Sequence, residues 1–131
     1  LSARFGDALQ LVGYDLEVED GALDVTLHWQ AIQRIENSYK VFVHLNEGGG
    51  GPPIAQTDTV PRDWTYPTDW WEAQEFVTDE VTVPLKGVRP GTYAIWIGAY
   101  EPDSGQRLPV FGVGSERRSE SRLHLTQIAL D

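Results

Sequence analysis

Residues 9–31 read LQLVGYDLEVEDGALDVTLHWQA, and this stretch decides the fold. Two runs of alternating apolar and polar residues flank Asp20-Gly21, a pair that tolerates the positive φ needed at both centres of a two-residue type I′ turn. Such a turn sets Val18 opposite Leu23, Leu16 opposite Val25, Tyr14 opposite Leu27 and Val12 opposite Trp29. These apolar pairs share one face, while Asp15/Thr26 and Gly13/His28 share the other. A slip of one residue would turn every side chain to the wrong side. Glu17 opposite Asp24 is the one poor pair, at a cost of roughly a few tenths of a kcal/mol.

Working outward, alternation recurs at 39–46, 54–59, 75–85, 92–101, 107–113 and 123–130, with Gly, Pro, Asp and Asn between the runs. Many short strands with turn residues between them read as all-β. The expected architecture is an antiparallel β-sandwich, immunoglobulin-like or jelly-roll-like. It has about seven or eight strands, at most a one-turn helix, and residues 1–131 in a single domain. A four-residue loop at Pro102–Gly105 would pair Tyr100 with Arg107, Ala99 with Leu108, Ile97 with Val110 and Trp96 with Phe111. The strand 92–101 is then apolar on both faces. Antiparallel sheets commonly leave one face wet, so the second face needs a cover or is a binding surface.

The expected cover is the longest irregular stretch, 60–74, which holds Trp64, Tyr66, Trp70 and Trp71 among Asp63, Asp69 and Glu72. Asp69-Trp70-Trp71-Glu72 has capping-box spacing, which predicts one helical turn with Asp69 as its N-cap. A loop this long inside a small domain is functional or packs down as a lid. The stretches 47–53 and 114–122, one glycine-rich and one charged, read as mobile surface loops.

Composition narrows the function. Twenty acidic against ten basic residues give a net charge of −10, which repels phosphate backbones and anionic lipid and excludes nucleic acid as a partner. With no cysteine there is neither a disulfide nor a Cys-based zinc site. The apolar-rich stretch 90–100 is far short of a membrane span, so this segment does not insert into a bilayer. The chain opens on Leu1 and has no methionine, which reads as a piece of something larger.

Catalytic signals are missing. There is no GxSxG elbow, and the glycine run at 48–51 lacks the Lys-Ser/Thr of a phosphate loop. His28, His44 and His124 fall on separate strands without metal-ligand spacing, so no metal and no cofactor is expected. Asp58, Asp63, Asp69, Glu72, Glu75, Asp79 and Glu80 crowd one third of the chain, yet no pair has the separation of glycosidase carboxylates. Asp79 and Glu80 point to opposite faces of one strand. Calcium is an alternative use of these carboxylates, without a DxDxDG-type signature to support it. The aromatic residues carry the functional leverage. Trp29 and Tyr93 belong to the core. Trp64, Tyr66, Trp70 and Trp71 either pack the loop down or form a platform for a saccharide or partner surface. Of the neighbours Trp70 and Trp71, one is expected inside and the other outside.

The series FGDALQLVGYDLE, LDVTLHWQA, YKVFVHL, QTDTVPRDWTYPTDWW and PGTYAIWIGAYEPDSGQRLPV covers most of the chain. It resembles the soluble carboxy-terminal domain that follows the membrane-spanning part of some bacterial polyprenyl-phosphate-dependent glycosyltransferases, the broad protein mannosyltransferase-like group. The resemblance implies a β-sandwich on the extracytoplasmic face of a bacterial membrane, attached to an enzyme whose catalytic carboxylates lie in its transmembrane portion. The chain departs from that pattern in its glycine run at 48–51, and at Ala73-Gln74, where a glycine is more usual. The resulting expectation is a non-catalytic accessory domain that contacts a saccharide or acceptor, or braces the transmembrane portion of its parent. A free-standing carbohydrate-binding module and a structural protein-interaction domain are the alternatives.

Overall fold

The computed structural model describes residues 3–47, 52–112 and 121–131. The expected loops at 47–53 and 114–122 fall largely outside the described residues. The strands are β1 (Ala3–Phe5), β2 (Leu9–Glu19), β3 (Ala22–Ala31), β4 (Lys40–Glu47), β5 (Ala55–Thr59), β6 (Phe76–Pro84), β7 (Gly91–Tyr100), β8 (Val110–Phe111) and β9 (Leu123–Leu130). One sheet has the order β6-β3-β2-β1-β8 and the other β5-β4-β7-β9, with every pairing antiparallel. The protein is a two-sheet β-sandwich, and a 3-10 turn at Thr68–Trp70 interrupts the segment between β5 and β6. No described helix is long and apolar enough to cross a membrane.

The first hairpin forms in the register its turn dictates: Val18 faces Leu23, Leu16 faces Val25 and Tyr14 faces Leu27. The fourth expected pair does not form. Leu11, not Val12, lies opposite Trp29, because a bulge between Leu11 and Gly13 leaves Val12 as the extra residue. The extra residue inverts the alternation, so Leu9 and Leu11 reach the core although they are out of phase with Tyr14 and Leu16. On the outer face His28 Nε2 donates to Asp15 Oδ2 at 2.9 Å. The like-charge pair Glu17/Asp24 is relieved by Thr82, whose hydroxyl donates to Asp24.

The second hairpin departs further from expectation. Tyr100 does bridge to Arg107, and Leu108 N–H donates to the Ala99 carbonyl. Pairing then stops at Pro109, which has no N–H to offer β7. The Pro109 carbonyl instead accepts from Gly6, and Val110–Phe111 pairs with β1 in the opposite sheet. Ile97 and Trp96 therefore face Leu123 and His124 of β9 rather than Val110 and Phe111. Among the described residues nine strands form instead of seven or eight, because the three-residue β1 is too short to read as a run.

The core lies between the sheets. Trp29, Phe5, Leu27, Leu45, Ile95, Ile97 and Trp71 are fully buried in it, and Phe5 meets Trp29 edge-on at 5.1 Å. The second face of β7 is covered by its own sheet. Phe42 lies over Gly98, its cross-strand partner, stacked on His44 at 4.2 Å with the Arg107 guanidinium 4.7 Å from its ring centre. Trp96 is met by the Arg122 guanidinium at 3.8 Å and by His124 at 4.9 Å. Those contacts do the work expected of the aromatic loop, whose own anchors lie elsewhere.

Candidate functional site

The aromatic loop leaves β5 through Val60 and Pro61 and makes an unusual turn. Arg62, Asp63 and Trp64 have φ of 56, 53 and 70°, three consecutive non-glycine residues in the left-handed region. Each such residue costs roughly 1–2 kcal/mol, so the surroundings must over-determine the turn. They do so with backbone bonds from Trp64 to Val60, Thr65 to Arg62 and Tyr66 to Pro61. Two bonds reach β6: Arg62 N–H donates to Asp79 Oδ1 at 2.7 Å, and Arg62 Nε donates to the Thr78 carbonyl at 2.9 Å.

Tyr66 and the segment after it are pinned from both ends. The Tyr66 hydroxyl donates to the Glu75 carboxylate, which also accepts the Glu72 N–H. The Glu72 bond, then the Tyr66 bond, hold the Glu75 carboxyl below its ordinary value; the same Glu75 contact raises the Tyr66 hydroxyl. The helical turn starts two residues earlier than expected. Pro67, not Asp69, is its N-cap, and no side chain caps it. The fixed φ of Pro67 sets the entry, and Thr68 does the anchoring: its buried hydroxyl donates to the Asn37 carbonyl and accepts the Tyr39 N–H.

The four aromatic residues singled out in the sequence divide. Trp71 is fully buried, its Nε1 donating to the Tyr66 carbonyl and its own carbonyl accepting from Arg34. Tyr66 is half-buried beside it, with ring centres 6.2 Å apart. Trp70 and Trp64 are 60 % and 56 % exposed. Trp70 meets Tyr66 edge-on at 6.5 Å, and the Lys40 ammonium lies 4.5 Å from the centre of the Trp64 ring. The loop closes at Gln74, whose φ is 69°. That left-handed conformation favours glycine. Gln74 holds it by donating its N–H to Ala31 and its side-chain amide to Ile32.

Two participants escaped the sequence reading. Lys40 became relevant only through the fold. Phe76, 68 % exposed at the start of β6, was legible: it shares the outward phase of Thr78, Glu80 and Thr82. The loop thus ends in a third exposed aromatic ring. Indole and phenyl faces can lie against the C–H faces of sugars, and Asp63, Asp69, Glu72 and Lys40 offer partners for hydroxyls.

Asp79 is buried on the core side of β6 and Glu80 is exposed on the other, as their alternation requires. Burial pushes the His44 imidazole down, with Asp58 opposing and Arg107 and Arg122 reinforcing. Tyr100 donates to Asp58, and burial followed by that bond pushes its hydroxyl up to about 12. Among the described residues no group of three or more metal-ligating side chains comes together. No protein-family model matches the chain, and no curated protein matches it.

Proposed function

We propose that this chain is a non-catalytic, extracytoplasmic accessory domain of a membrane glycosyltransferase, and that it contacts a saccharide through the exposed rings of Trp64 and Trp70. The observation that carries the saccharide contact is the exposure of two indoles on a loop that is otherwise tied down. Full burial of a large apolar side chain is worth about 1.5–3 kcal/mol. Here Trp71 is buried while its neighbour Trp70 remains in water on the same anchored turn. A ligand stacking on these rings meets a segment already ordered, so little conformational freedom is lost on binding. The attachment to a transferase, and with it the location outside the cytoplasm, rests on the order of sequence motifs from Phe5 to Val110.

The test is calorimetric titration of the domain with a panel of soluble hexose, pentose and hexosamine oligosaccharides. Trp64→Ala and Trp70→Ala should each unfold within about 0.5 kcal/mol of the parent while losing about tenfold or more in affinity. A parent that binds nothing in the panel, or variants that bind as tightly as the parent, would refute the saccharide contact.

A further inference from the structure

We propose that Asp79 is a proton-controlled latch on the Trp64-bearing turn: protonated, it favours closure of residues 60–66 over the edge between β5 and β6, and ionised, it favours their opening. Asp79 occupies a core position in the apolar phase of β6, between Val77 and Val81. Its Oδ1 accepts the Arg62 N–H, but its buried Oδ2 makes no hydrogen bond. The segment above it is the strained turn of Arg62, Asp63 and Trp64. Outside lies a groove of about 420 Å³ lined by Arg62, Asp63, Thr78 and Glu80. Opening the turn would therefore relieve backbone strain and admit water to the carboxylate together.

The direction follows from the groups around the carboxyl. Burial pushes Asp79 from 3.8 up to about 6, against the Arg62 N–H and guanidinium, which favour the charge, and with Asp63 and Glu80, which oppose it. In the opened turn the carboxyl regains water and its ordinary value. The closed state is then the stronger proton binder, so acid favours it and a rise in pH through the interval from 3.8 to about 6 favours opening. Between pH 5 and pH 7.5 the opening equilibrium grows about tenfold. This inference stands on the fold alone and does not need the saccharide contact.

Amide hydrogen exchange, corrected for intrinsic rates, reads the latch directly. The amides of Arg62, Trp64 and Tyr66, which donate to Asp79, Val60 and Pro61, should be about tenfold less protected at pH 7.5 than at pH 5. Asp79→Asn keeps an oxygen for the Arg62 N–H and should abolish the difference. Equal protection at both pH values in the parent, or the same tenfold change in Asp79→Asn, overturns the proposal. Should that variant not fold, the carboxyl-carbon titration of Asp79 in the parent decides. A midpoint near 6 supports the latch, and a midpoint in the ordinary carboxylate range overturns it.

Discussion

Trp71→Ala should destabilise the domain by about 3–5 kcal/mol, the range for removing a large aromatic side chain from a core. For a domain of this size that lowers the thermal midpoint by roughly 10–20 °C. Trp71 is fully buried among residues of both sheets, and its Nε1 bond to the Tyr66 carbonyl ties the first half of the loop to the second. Trp70→Ala, one residue away, should move stability by about 0.5 kcal/mol or less. Denaturant midpoints of the two variants measure the contrast. Equal losses would contradict the division of the loop into an anchor and an exposed ring.

The second large effect belongs to the opposite end of the sequence pattern, a glycine in a strand. A methyl group at Gly98 would stand 2.1 Å from two carbons of the Phe42 ring. That ring cannot lift away without leaving the His44 stack and the Arg107 guanidinium. Gly98→Ala should therefore cost about 3 kcal/mol, the upper part of the range for overpacking. The clash has a single partner, which makes a double-mutant cycle decisive. In a Phe42→Ala background the same glycine substitution should be neutral or stabilising by about 0.5 kcal/mol, since alanine restricts the unfolded chain more than glycine does. A substitution equally damaging in both backgrounds would show that Gly98 serves some need other than space for the ring.

These two residues also show where sequence reading reached its limit. Gly98 and Phe42 are 56 positions apart in number, and the flat ring over a glycine exists only once β4 and β7 pair in register. The first hairpin was readable because Asp20-Gly21 fixes the turn and alternation fixes the face. Its failure at Val12 is equally local: Leu11 and Val12 are adjacent and both apolar, so alternation does not say which one is extra. Pro109 did contain the information that β7 and β8 part there, since it cannot donate to a ladder. Only the neighbouring sheet says where the chain goes next. Asp79 was placed correctly on the face opposite Glu80, and its company of Val77, Val81 and Val83 already implied a buried carboxylate. The anchoring of the aromatic loop by Thr68 depends on Asn37, 31 residues away, and no spacing rule reaches it. Gln74 is the instructive intermediate: a glycine at Ala73-Gln74 was implied only by the family resemblance, and the backbone at Gln74 is left-handed.

The claim that Trp64 and Trp70 face a saccharide is tested most directly by following the indole N–H signals of the five tryptophans by NMR during an oligosaccharide titration. Trp29 and Trp71 are buried, and Trp96 is occupied by Arg122 and His124. The account predicts saturable shifts at Trp64 and Trp70, with those three signals still. Shifts centred on Trp96, or none at any tryptophan across the panel, would contradict it.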